Sequence, residues 1–118
     1  MSTYLTPQNS PRVKLIIEVD SSWKEIDCLI DTGFSSGLVL NPSFLPKINS
    51  PVVAKQEFEL ADGSLITFDM YLVTVKYRQQ KKRLLTVFSG SGDNLAGIRF
   101  LEGLIFTLNL KKKQITLI

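Results

Sequence analysis

The chain has no histidine among its 118 residues. That absence removes Ser-His-Asp triads, Cys-His nucleophile pairs and His-ligated metals, since each needs an imidazole. The one cysteine, Cys28, cannot close an internal disulfide, which fits a reducing cytoplasm. No apolar run approaches the ~20 residues of a membrane helix, so no membrane partner is expected. The N-terminus, MSTYLTPQNSP, has neither a basic start nor an apolar block, so no signal peptide is visible and a cytoplasmic location is expected. Strong net charge is also missing: the balance is +3, too small by itself to imply a nucleic-acid partner. Gly90 and Gly92 lack the spacing of a phosphate cradle with a helix behind it. No metal and no cofactor are expected.

What is present is an ordinary globular composition, 44% hydrophobic, in a chain long enough to bury a core without staples. Residues 1–12 are polar and hold two prolines, which predicts a loose arm ahead of one domain over 13–118. VKLIIEV and WKEIDCLI, split by DSS, predict a hairpin. On its second strand Ile26, Cys28 and Ile30 share one face, and Asp27, Leu29 and Asp31 the other. LVL (38–40) reads as a short buried strand. In NPSFLPKI, Asn41 can cap and Pro42 suits a first helical position, so one helical turn stopped by Pro46 is expected. The alternating stretch 52–77 has Asp-Gly at its midpoint, a hairpin signal with its tip at Asp62 and Gly63. RLLTVF predicts another strand, SGSGDN a flexible loop, and LAGIRFLEG a short helix ended by Gly103. LIFTLNL and QITLI, joined by KKK, close the chain as a hairpin. The basic clusters KYRQQKKR and KKK read as solvated turns. The competing reading, a basic β-barrel that binds RNA or DNA, rests on those lysines alone. The class is mainly β, a small closed or folded barrel with one or two short helices.

One carboxylate stands out. In CLIDTGFSSGLVL, Asp31 ends an apolar strand and is followed by Thr32 and Gly33. It is either a turn carboxylate or an acid held in a water-poor cleft. Cys28 reads as a small core residue with an inert thiol, and Trp23 and the phenylalanines as core. Ser35 and Ser36 lack the partners that would make them nucleophiles. Arg99 reads as the surface partner of Glu102, three residues on.

The order of elements resembles the retropepsin-like (clan AA) aspartic proteases, most nearly the single-lobe prokaryotic type. LIDTGFSSGLVL is similar to their catalytic loop, ELADGSLITF to their flap, and LAGIRFLEGLIFTLNLKKKQITLI to their closing helix and hairpin. The resemblance spans about residues 13–118. It implies one lobe per chain and a peptide hydrolase in which Asp31 acts as base or acid, Thr32 bonds across to a partner loop, and Gly33 lets its amide approach the carboxylate. It implies further that Phe34, Ser35 and Ser36 line the cleft and that Ala61, Asp62, Gly63 and Ser64 fold over a peptide substrate. No second Asp-Thr-Gly or Asp-Ser-Gly occurs, so the twin carboxylate must come from a second copy in a homodimer. The alternative is a catalytically silent member of the fold, kept for dimerisation or peptide binding. One departure stands near the C-terminus, where the order is Gly97, Ile98, Arg99. The arginine is one place later than in retroviral members, and the acidic residue common in other relatives is missing. The polar contacts that brace the loop and the dimer are therefore not expected in their usual form.

Overall fold

Strand structure begins earlier than the composition suggests. In the computed structural model, which describes residues 2–90 and 92–118, β1 (Thr3–Leu5) lies inside the stretch expected to be a loose arm. It pairs antiparallel with β2 (Pro11–Val19), Thr3 opposite Val13 and Leu5 opposite Pro11. Tertiary anchors overrule composition here. Thr3 is buried, and the Tyr4 hydroxyl donates to Asp27 at 2.5 Å.

β2 buries Val13, Leu15, Ile17 and Val19 on one face and pairs with β3 (Ser22–Ile30). The two-residue turn between them puts Asp20 and Ser21 at φ 50 and 61, the left-handed pair that matches the twist of a tight hairpin. Trp23, expected in the core, is 39% exposed. It shares its parity with Glu25 and Asp27, the outer face of β3, and Lys76 Nζ lies 4.4 Å from its ring centroid. The phenylalanines divide as well. Phe100 alone among them is fully buried, Phe44, Phe88 and Phe106 flank the core, and Phe34, Phe58 and Phe68 line a cleft.

β4 (Leu38–Leu40) follows, then a 3-10 helix at Pro42–Lys47. The Asn41 side chain accepts from the Ser43 amide at 2.9 Å, as a cap should. Pro46 lies within this helix rather than ending it. β5 (Ala54–Glu59) and β6 (Leu65–Tyr77) form the long hairpin, and β7 (Gln80–Phe88) returns beside β6. Only Arg78 and Gln79 make that second turn. Lys76 remains on β6, and Lys81, Lys82 and Arg83 on β7, so the first basic cluster is mostly strand. Within the loop expected over residues 89–94, Ser91 lies outside the described residues.

The helix expected over 95–103 is shorter than its apolar pattern. Leu95–Ala96 is β8, and α1 covers only Ile98–Leu101, with Gly103 at φ 80 behind it. The pairing of β8 with strands on both sides takes its residues out of the helix. β9 (Phe106–Asn109) and β10 (Gln114–Leu117) form the closing hairpin, with the second lysine cluster in its turn.

The main sheet runs β1-β2-β3-β8-β4-β7-β6-β5. A further pairing, Ile16 with Lys76 and Ile17 with Val75, ties β6 back to β2. The architecture is therefore mainly β, with two short helices among the described residues. Its core joins Leu15, Ile17, Ile26, Cys28, Leu38, Leu40, Val73, Val75 and Phe100. Among the described residues no helix is long and apolar enough to cross a membrane.

Candidate functional site

Asp31 is placed by two strands. The end of β3 runs parallel to β8, with Ile30 opposite Ala96, and the Asp31 amide donates to the Ala96 carbonyl at 2.9 Å. β8 also pairs antiparallel with β4, with Leu38 opposite Ala96. It thus sits between the two strands that the Asp31 loop connects, and residues 31–37 must pass around its end. The segment after β8 then holds that loop through its backbone. Gly97 N–H donates to Gly37 O at 2.7 Å, Ile98 N–H to Phe34 O at 2.9 Å, and Arg99 N–H to Ser36 O at 3.1 Å. The approach is close enough to demand glycine at 97. A Cβ there would stand 2.4 Å from Ser36 O and 2.5 Å from Phe34 Cδ2.

Inside the loop, Gly33 N–H donates to Asp31 Oδ1 at 2.9 Å, and Phe34 N–H to Asp31 O at 3.2 Å. The carboxylate is thus fixed by its own turn and stays half-buried. Thr32, Gly33 and Ser35 are exposed, Phe34 is half-buried and Ser36 is buried. A cleft of about 400 Å³ opens beside them. Gly33, Phe34 and Ser35 form one wall, Phe58 and Phe68 another, and Val39, Val87 and Leu95 the floor, with Glu57 and Glu59 also at its edge. Asp31 adjoins this cleft through Gly33 and is not itself part of the wall. The rings meet at an angle, Phe34 to Phe58 tilted at 5.6 Å and Phe58 to Phe68 edge-on at 6.0 Å.

The 61–64 tip forms as a tight loop. Leu60 N–H donates to Ser64 O at 2.8 Å and Gly63 N–H to Leu60 O at 2.9 Å, with Gly63 at φ 84. Asp62 Oδ1 accepts from the Ser64 amide at 2.9 Å and its hydroxyl at 2.5 Å, which lowers the Asp62 pKa, the hydroxyl being the larger cause. Ala61, Asp62, Gly63 and Ser64 are exposed and do not line the cleft. The β5 residues just before them do.

Phe58, Phe68, Val39, Val87 and Leu95 belong to the cleft although no motif in the sequence marks them for it. The observed register places Gln56 opposite Phe68 and Phe58 opposite Ile66, so both rings share one face. A two-residue turn at Asp62 and Gly63 would instead pair Phe58 with Thr67 and set the rings on opposite faces; the longer connection, from Leu60 to Ser64, shifts the register by one. Val87 and Leu95 arrive from distant chain positions, which no local pattern discloses.

Behind the loop lies a polar anchor. Arg12 Nε donates to Asp27 at 2.6 Å, and the rest of its guanidinium grips Asp93 at 2.5 and 2.8 Å. That grip holds the Asp93 carboxyl below the usual range. The hydrogen bond to Asp27 raises the Tyr4 phenol. Asn94, next along, accepts from the Asn41 amide at 3.0 Å and gives its carbonyl to the Leu29 amide at 2.8 Å, which sets the entry of β8. Cys28 is fully buried, and burial pushes its thiol up to about 12. Among the described residues no three His, Cys, Asp or Glu side chains gather as a metal site.

Fold and site together define a mainly β domain that carries a backbone-held carboxylate loop beside an aromatic cleft. In comparison with known proteins, the chain matches no family model and no curated protein.

Proposed function

We propose that the chain is one subunit of a homodimeric aspartic endopeptidase with a retropepsin-type β-barrel. The observation that carries the reading is the Asp31 loop: an acid at the end of a buried strand, tied to Ala96 and Gly33, beside a 400 Å³ aromatic cleft that the β5–β6 hairpin helps to wall. The β2–β6 pairing, which links distant strands of the sheet order into a ring, supports the barrel.

With one Asp-Thr-Gly per chain, a two-fold axis brings the partner's carboxyl to the first. Like charges a few ångströms apart cannot both ionise, so the pair shares one proton. The ionised member takes a proton from water as its oxygen adds to the peptide carbon. The protonated member gives its proton to the carbonyl oxygen, forming a tetrahedral diol. Breakdown of the diol breaks the C–N bond, a proton passes to the leaving nitrogen, and the shared proton is restored. The Thr32 hydroxyl bonds across to the opposite loop and keeps the carboxyls coplanar. The hairpin tip at residues 61–64 closes over an extended peptide and excludes water. The peptide lies as an added strand, its backbone giving affinity and its side chains selectivity. No cofactor takes part, and a reducing cytoplasmic setting fits the lone buried Cys28.

Substituting Asp31→Asn is expected to abolish cleavage of a broad peptide library while the circular dichroism spectrum is retained. Undiminished cleavage by that variant would overturn the mechanism. A statine-type mimic of the diol is expected to bind the unaltered protein tightly and the variant weakly. A silent binding module is the second reading. It is favoured by Arg99, whose guanidinium pairs with Glu102 at the surface, while only its backbone N–H, bonded to Ser36 O, reaches the loop. Under it, purified protein dimerises yet neither cleaves the library nor binds the mimic.

A further inference from the structure

Next to the aromatic cleft is a second cavity of different chemistry. It has a volume of about 360 Å³ and meets the first at Ser35, which lines both. Its walls include the Ser35 and Ser36 segment, Gln56 from β5, and two arginines, Arg83 of β7 and Arg99 of α1. Both arginines are exposed. Glu102 also lies on the wall, where its Oε1 takes one Arg99 nitrogen, Nη1, at 2.5 Å. A guanidinium carries five N–H donors, so Arg99 retains most of its capacity. Arg83 makes no ion pair among the described residues. Two planar cations beside a recess of mixed lining, with Leu84 and Leu85 as well as a serine loop and a glutamine amide, suit an oxyanion that can be gripped in bidentate fashion.

We infer that this recess is a subsite for an acidic side chain of the peptide, so that the enzyme selects substrates with a glutamate or aspartate placed beside the apolar residue held by Phe34, Phe58 and Phe68. The inference rests on the endopeptidase reading for its context and adds the substrate class. The shared Ser35 wall makes the two cavities neighbours along one bound strand. An excess of positive charge over the whole molecule, +3, works in the same direction by attracting acidic segments.

The test uses matched peptides that differ only by Glu or Gln, scanned through the positions on either side of the scissile bond. The full chain is expected to favour the Glu peptide at one position by roughly three- to tenfold in kcat/KM at low salt. That ratio should shrink as salt screens the pair. In Arg83→Gln and Arg99→Gln the Glu/Gln ratio should fall toward one, and Arg83→Lys should keep part of it. A second arm measures binding of the same peptides to Asp31→Asn protein by fluorescence anisotropy, where no turnover is needed. Arginine-dependent preference in that arm without cleavage in the first would sustain the subsite and sink the protease. Cleavage with an equal rate for Glu and Gln at every position would sink the subsite and leave the protease standing. A Glu preference that persists in both arginine variants would also overturn the assignment.

Discussion

Gly97 is the residue on which the loop geometry turns. Its missing side chain lets the backbone of β8 and α1 lie against the carbonyls of Phe34, Ser36 and Gly37. A methyl there meets backbone oxygen, which cannot swing aside as the end of a long side chain can. Gly97→Ala is therefore expected to lower stability by about 1–3 kcal/mol, measured by urea unfolding, and to reduce cleavage by more than that loss of folded protein explains. An unchanged midpoint would show that the loop yields freely. Cys28 is decided by burial in the same way. With its thiol pushed up to about 12 and shielded from solvent, native protein at pH 8 should react with iodoacetamide far more slowly than unfolded chain. Comparable rates would mean that the β3 end opens readily. Both positions show how legible the site was at this scale. Asp31, Thr32 and Gly33 stand together in the sequence, and the short-range bonds of their turn follow from that adjacency. The role of Gly97, more than sixty positions away in the chain, depends on a contact that no neighbouring residue announces.

α1 has four residues, far below the length at which a helix is stable by itself. It persists because other elements hold it. Phe100 is fully buried, with the Tyr77 ring 5.5 Å away edge-on. Lys82 of β7 donates to the carbonyls of Phe100 and Glu102 at 2.8 and 2.5 Å, occupying acceptors that a helix end leaves open. Phe100→Ala should cost about 3–5 kcal/mol and release the Ile98 and Arg99 amides from the loop, visible as faster hydrogen exchange at both. The Arg12 anchor joins β1, β2, β3 and the approach to β8, and it carries a pH signature. The Asp93 carboxyl titrates lower when folded than when unfolded. Its contribution is thus present above the unfolded carboxylate range, near pH 4, and is lost as pH falls through the folded value. With the Asp93 side chain 46% exposed, solvent screening limits that contribution to about 1 kcal/mol or less. Asp93→Asn should lower stability by that amount at pH 7 and by less at pH 3, so that its acid limb is flatter. Parallel limbs in the two proteins would remove Asp93 from the account. The short helix and the β1 pairing were the least legible elements. LAGIRFLEG has a helical apolar pattern, but Leu95 and Ala96 are claimed by the strands beside them.

At the scale of the whole molecule the proposal turns on self-association. If each active site needs one Asp31 from each of two chains, specific activity should fall on dilution through the dimer dissociation range found by sedimentation. Mixing equal amounts of wild type and Asp31→Asn, and allowing exchange, should leave about half the activity of the same wild-type amount alone, because half of the wild-type chains then sit in mixed pairs. Full retention of activity would mean that a single chain carries its own site. The β2–β3 hairpin, the long hairpin turning near Asp62 and Gly63, the closing hairpin, and the face shared by Ile26, Cys28 and Ile30 were all determined by the sequence itself. They follow from side-chain parity and turn chemistry, which act between residues close in the chain. The tertiary structure alone decided that β8 enters between β3 and β4 and that Phe58 and Phe68 face Phe34 across a cleft. Those outcomes depend on which distant surfaces meet once the core of Leu15, Ile17, Leu38, Leu40 and Phe100 closes. Apolar burial is non-directional, so a pattern along the chain marks which faces turn inward without naming the partners they find there.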